Sequence, residues 1–555
     1  MRRGYPSERA FWHGLIMLLN KRTRAALAIA SGLALAAAFP KLDLNLLAWV
    51  AFVPLFLAVE GEKPSTVFWY AFLQGFACDV ASLYWIAITL HNFANVRVEL
   101  AILPMLLLAA VMAAYTGVAI WAGEYVAARL RIPIVVTMPV AWAAIEWVRT
   151  YFPIGFPWNL LGYAAYRNLQ LIQFAEVTGV YGVSALIVLF NVVVYVVLFR
   201  IYTRRVQMFS LGALTALIVA ALLFGMARMD HIEAAKSMGS LRIAMVQGNI
   251  PQSIKWNPKF LESSFDVYQA QTETAAKNGA NLIVWPEAAA AFLFQPTDQY
   301  PATLADDAAY RQRLLQLARD TGDPILFGAP AAGVENDQVG FYNRAYMVSG
   351  AGKVVAWYDK IQLVPFGEYV PLKSVFGFFV KRVVTGFGDM FPGHAQTLFD
   401  VGGAKLGVLI CYESIFPDLA RTEVKKGAEI LVNITNDAWY GKSSAPYQLL
   451  AMSAMRAVET KVPVVRVANT GISAVIEPDG NITATTSLFT RGEETERVYW
   501  RPERTIYSAF GDVFAEICFA LTMIGLAIAI FRPRRPTIEE DQEIDLPLSV
   551  NGRAR

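Results

Sequence analysis

Three side chains, set in similar surroundings, could act on one substrate together. KLGVLI runs into Cys411 and continues YESIFP, NLIVWP ends on Glu287, and VVAWYD ends on Lys360. A thiol becomes a good nucleophile when a base takes its proton or a nearby cation stabilises the thiolate. Histidine is the usual base, but of the four histidines, at 13, 91, 231 and 394, only His394 falls in the region of these motifs. If Cys411 is activated, the base is expected to be a carboxylate and the positive partner a lysine. Each residue alone has a plainer reading: a small buried residue for Cys411, a helix-capping carboxylate for Glu287, a surface charge for Lys360. Three such residue types, each closing a buried-type strand, would be an odd coincidence in a structural core.

The surrounding elements suit that reading. Between residues 240 and 506, strand-like runs alternate with helix-like runs. LRIAMVQGNIP is a strand and turn, and FLESSFDVYQAQTETAAKNGA an amphipathic helix ending near Gly279, where a left-handed cap suits glycine. NLIVWPE, DPILFGAP, KLGVLICYE, AEILVNITND and VPVVRVANTG read as further strands. FYNRAYMVSGAGKVVAWYDK reads as a hairpin, with a further helix over 444–461. This alternation predicts a layered α/β domain, and in such a scaffold strand ends present chemistry.

The motifs WPEAA, YDKIQLVPFGEYVP and GVLICYESIFP together resemble the nitrilase, or carbon–nitrogen hydrolase, superfamily with its Glu–Lys–Cys triad. With GFPWNLLGYA, NIPQSIKW and NDAWYG they are similar to its membrane branch, the apolipoprotein N-acyltransferases. The resemblance covers nearly the whole chain and implies an αββα sandwich. The implied reaction moves the sn-1 acyl chain of a phospholipid onto Cys411 as a thioester. The acyl chain then passes to the α-amine of S-diacylglyceryl-cysteine at the N-terminus of a bacterial lipoprotein. Glu287 would be the base, and Lys360 the cation beside the oxyanion. Glu368, Tyr412, Glu413 and Trp256 match supporting positions, although Trp256 is equally readable as a packed loop aromatic. Trp439 and Tyr440 are expected to line the pocket. Phe376, Phe378 and Phe379, in the apolar 371–391 loop, would either pack on the domain or form a gate for acyl chains in the headgroup region. The competing reading is a membrane-anchored nitrilase-type amidase, with water resolving the thioester.

Composition sets the compartment. Hydrophobic residues make up 56% of the 555 and charged residues 17%, and mean hydropathy is +0.40, too apolar for an ordinary soluble protein. A net charge of +3 with no basic stripe argues against nucleic acid. Cys78, Cys411 and Cys518 have neither metal-type nor disulfide-type spacing, and no metal or organic cofactor is expected.

Apolar stretches at 24–39, 45–60, 66–91, 99–127, 134–150, 171–199, 208–226 and 512–531 are candidate spans, making a polytopic helical membrane domain of about eight. Lys and Arg in the short loops favour an inside N-terminus. The expected plan is a cytoplasmic segment at 1–23, a seven-span membrane domain at 24–228, an outward-facing catalytic domain at 240–506, a span at 512–531 and a disordered cytoplasmic tail at 532–555. The implied setting is a bacterial inner membrane with the catalytic domain on the periplasmic side. The implied partners are a phospholipid donor, a lipoprotein acceptor and membrane lipids, served by a monomer.

Overall fold

The computed structural model describes residues 19–93, 97–199, 203–234, 239–295, 305–335, 337–369, 390–501 and 503–533. The expected gate residues Phe376, Phe378 and Phe379, most of the 1–23 segment and the tail from 534 onward lie outside the described residues.

The strand–helix alternation builds two six-stranded sheets. The first contains β1 (Ser240–Gln247), β2 (Leu282–Val284), β3 (Ile325–Glu335), β4 (Gln338–Val348) and β5 (Val354–Asp359) in that order. The second runs β6 (Leu398–Val401), β7 (Ala404–Ile410), β8 (Ile430–Thr435), β9 (Val464–Ala468), β10 (Ala474–Ile476) and β11 (Ile482–Thr485). β12 (Gly492–Tyr499) returns to the first sheet and pairs antiparallel with β1. β1–β2–β3 and β7–β8–β9 are parallel, and the remaining pairs are antiparallel.

The two sheets meet face to face. Ile243, Val284 and Met347 from the first pack with Val408, Val432 and Val465 from the second. Alternate residues point outward, so Ala244, Ile283 and Phe327 pack under the helices Leu261–Lys277 and Ala305–Thr321. Leu409, Leu431 and Val464 pack under Pro417–Lys426 and Ala445–Thr460. Because both faces of the parallel strands are covered, their sequences are almost continuously apolar. The result is the expected αββα sandwich.

Apolar helices stand at each stretch expected to be one, but they are less regular than the hydropathy suggests. Val98–Leu130, Val180–Leu198, Arg204–Ala234 and Val513–Phe531 are long and apolar enough to cross a membrane. Pro64–Ser82 with Trp85–Asn92, bent by 46°, makes a fifth if that pair is one span. Asn45–Val59 is too short for that test. Lys21–Ala38 opens on the charged KRTR, and Ile134–Tyr151 carries Glu146 and Arg149. The stretch expected over 171–199 is also not one helix. Two single turns, Leu169–Ile172 and Ala175–Thr178, precede Gly179, where φ is +65° and a Cβ would come within 2.7 Å of the Tyr507 ring. Only glycine fits that approach, and the long helix starts after it.

Hydrogen bonds sort the helix ends onto two sides. On the sandwich side, Lys41 donates to the Lys442 carbonyl at 3.1 Å, Thr89 to the Trp439 carbonyl at 2.9 Å, and Tyr151 to Asp512. On the opposite side, Arg24 donates to the Ala58 carbonyl at 2.7 Å, and Arg129 to the Ala529 carbonyl at 3.0 Å.

Candidate active site

Four strands deliver the site from their C-terminal ends. β2 leads to Glu287, β5 to Lys360, β7 to Cys411 and β8 to Asn436. Trp285 anchors the first of these: it is fully buried, stacks on Tyr268 with ring centroids 4.9 Å apart, and donates to Thr272 at 2.9 Å. Gly328 on β3 leaves room beside it, since a Cβ there would lie 2.4 Å from the Ala288 nitrogen. Ala288 and Cys411 both adopt positive φ, +48° and +54°. Left-handed backbone at a non-glycine residue costs on the order of 1–3 kcal/mol and persists only when the surroundings enforce it. At Cys411 it ends the strand abruptly and opens the turn Cys411–Ile415.

The carboxylates and the lysine form one buried array. Lys360 donates to Glu368 at 2.8 Å and lies 3.7 Å from Glu287. One Glu287 oxygen accepts from the Asn343 amide at 2.7 Å, and the other from the Asn436 backbone N–H at 2.8 Å. Asn343 also donates to Glu368 at 3.1 Å, so it ties the two carboxylates together. Burial opposes charge on Lys360, yet Glu368 and then Glu287 outweigh it and hold the ammonium above the ordinary lysine value. Burial pushes the Cys411 thiol up to about 12; Glu287 pushes the same way, while Lys360 and a hydrogen bond with Thr435 pull it back. At rest the thiol therefore keeps its proton, and a base must remove it.

Glu413 is a buried latch between the two sheets. One of its oxygens accepts from the Tyr358 hydroxyl at 2.7 Å and from the Ile361 and Gln362 backbone N–H groups at 2.7 and 3.0 Å. The other accepts from Ile410 N–H at 2.7 Å. It thus fixes the chain just after Lys360 to the chain just before Cys411. Burial pushes its carboxyl up to about 7 against the pull of those donors.

The aromatic residues lie where the sandwich meets the helical domain. Tyr412, Ile415 and Phe416, from the turn that carries Cys411, belong to the same apolar core as Trp85, Trp158 and Leu161. Tyr440 packs against Trp85 and Trp158 at 5.0 and 6.2 Å, and Trp439 is 37% exposed beside it. Trp256 is half-buried next to Lys255.

The structure thus brings Glu287, Lys360, Glu368 and Cys411 together, with Glu413 behind them, while Tyr412, Tyr440 and Trp439 stand toward the helical domain and Trp256 beside Lys255. Two residues were missed. Asn343 lies in the middle of a strand, FYNRAYMV, and the cue was a polar residue at a buried position. Lys255 lies in NIPQSIKW, directly before Trp256, and a lysine in a polar turn gives no cue of its own.

The catalytic half matches the family model for carbon–nitrogen hydrolases over residues 242–499. Residues 31–193 match the apolipoprotein N-acyltransferase N-terminal domain. The amidase from Nesterenkonia sp. aligns over 50% of this chain and 96% of its own, with 24% identity and a TM-score of 0.36. Fold and site together define a nitrilase-type domain joined to a helical membrane domain. Along its length the chain is 37% identical to the apolipoprotein N-acyltransferase of Geobacter metallireducens, covering 91% of this chain and 95% of that protein. The enzyme of the same name from Brucella melitensis is 32% identical, covering 86% and 90%. The chain belongs to the apolipoprotein N-acyltransferase family.

Proposed function

We propose that this chain is an apolipoprotein N-acyltransferase acting by two acyl transfers through Cys411. Glu287 takes the thiol proton, and the thiolate attacks the sn-1 ester carbonyl of a phospholipid. Lys360 stabilises the oxyanion, together with the backbone N–H after the nucleophile. The C–O bond then breaks, Glu287 returns its proton to the leaving alcohol, and a lysophospholipid departs. In the second half, the α-ammonium of a diacylglyceryl-modified lipoprotein gives a proton to Glu287. The free amine attacks the thioester, the C–S bond breaks as the amide forms, the amine's second proton passes to the departing thiolate, and Glu287 releases the first proton to solvent.

The observation that carries this reading is the shared apolar core of the nucleophile's turn and the membrane helices. A hydrolase of small amides has no use for such a seat, whereas a two-chain lipid donor needs its ester brought to the nucleophile from an apolar side. The gate role for Phe376, Phe378 and Phe379 belongs to the same proposal, as do pocket roles for Trp439 and Tyr440.

Eight crossings, a cytoplasmic N-terminus and a periplasmic catalytic domain in a bacterial inner membrane complete the reading, with a monomer as the working unit. Two features support it: helix ends alternate between the two sides, and Arg24, Arg129 and Arg532 gather on the side away from the sandwich.

The test is acyl trapping in detergent with phospholipid as donor. Acyl-Cys411 should accumulate and persist until a diacylglyceryl peptide amine is added, and Cys411→Ala should form none. Steady release of fatty acid without acceptor would favour the amidase-type reading.

A further inference from the structure

A second lysine sits in the same buried site, outside the triad. Lys255 closes the short turn Gln252–Lys255, is 3% exposed, and donates from Nζ to the main-chain carbonyl of Glu287 at 3.0 Å. The Trp256 ring lies beside it, 5.9 Å from Nζ to the centroid. Among the described residues no carboxylate comes within ion-pair distance of this ammonium, whereas Lys360 has two.

The charges around the nucleophile show the consequence. Lys360 is shared between two carboxylates, Glu368 at 2.8 Å and Glu287 at 3.7 Å, so its positive charge is already engaged. A thiolate formed at Cys411 would have to share that one cation with both of them. Lys255 adds a second positive charge, which among the described residues no carboxylate engages at ion-pair distance. Burying unbalanced charge is unfavourable, so such an offset governs whether a thiolate can form.

We propose that Lys255 is a positioning residue of the acyl-transfer site, holding Glu287 through its carbonyl and offsetting with its charge the thiolate formed at Cys411. In that step the S–H bond breaks and an O–H bond forms on Glu287, while Lys255 keeps its own protons throughout. The groups that bear on Lys255 are Glu287 after β2 and Cys411 after β7. Burial pushes its ammonium down to about 8, and those two groups pull it back. The charge is therefore in place at neutral pH and is lost as pH rises past that value.

This inference rests on the proposed role of Cys411 as nucleophile, but its test needs no lipid. Iodoacetamide alkylation of Cys411 in the full-length protein in detergent, followed by peptide mass spectrometry against pH, reads the thiolate directly. Lys255→Gln keeps a donor for the Glu287 carbonyl and removes the charge. At pH 7 it should be alkylated about tenfold more slowly, its profile moved up by about one pH unit, while Lys255→Arg stays near the parent. A Lys255→Gln profile that superimposes on the parent's would overturn the charge role.

Should that variant fail to fold, the parent carries the test. Its alkylation rate should climb by less than tenfold per pH unit just above pH 8, as the offset disappears, and an unbroken tenfold climb would overturn the proposal. Failure of acyl trapping with these profiles intact would count against the lipid reading alone.

Discussion

Glu287 and Lys360 lie 3.7 Å apart, yet their loss should look different in kinetics. Glu287→Gln keeps the shape and removes the base. Burial is the largest cause holding the Cys411 thiol up, and it remains when the Glu287 charge, which pushes the same way, is removed, so little thiolate exists at neutral pH without that base. Single-turnover acyl-enzyme formation by Glu287→Gln should nearly stop at pH 7 and rise about tenfold per pH unit above it, as hydroxide supplies the thiolate. Lys360→Met removes the oxyanion's cation, a loss of roughly 3–4 kcal/mol, or two to three decades in rate. Its deficit falls on the transition state and should persist across the same pH range. If high pH restores Lys360→Met and leaves Glu287→Gln inactive, the two roles are reversed.

Elements matter here because the triad comes from two sheets that could slide or splay. Besides the bond from Asn436 N–H to Glu287, the contact that opposes this at the site is Glu413, which joins the end of β7 to β5 and the segment after it through four hydrogen bonds. Glu413→Gln would turn an N–H group toward backbone donors at one of those oxygens. Breaking charged hydrogen bonds and stranding buried donors should cost about 3 kcal/mol or more of stability. The rate should fall mostly in kcat, because Lys360 loses its fixed place opposite Cys411. Chemical denaturation and steady-state kinetics on the same preparation check both, and a variant as stable as the parent would show the latch to be dispensable. The helix Ala445–Thr460 shows a related effect. Ala451 and Ala454 face the second sheet while Leu449 and Met452 face the membrane helices, so this element is buried on both sides.

At the scale of the molecule, the alternation of helix ends makes a topology prediction. A reporter fused after Arg242 should be active only in its periplasmic form, and one fused after Arg535 only in its cytoplasmic form. The opposite pattern would mean that the crossings are miscounted, most readily at Asn45–Val59. The chain's residue order by itself determined much of this protein. Strand–helix alternation predicted a layered α/β domain, the motif resemblance supplied its αββα order, and strand-end chemistry singled out Glu287, Lys360 and Cys411 as candidates, because strands buried on both faces are apolar without interruption and a reactive residue ending one is conspicuous. Membrane character was equally legible from apolar run length. Only tertiary structure brought in Asn343 and Lys255, whose neighbours are distant in sequence and whose types are ordinary in a strand and a turn. It alone split the 171–199 stretch at Gly179, since that break depends on the Tyr507 ring from the far end of the chain. It alone seated the Cys411–Ile415 turn on the helices. Local pattern reports which face of an element is apolar, and only packing decides what that face meets.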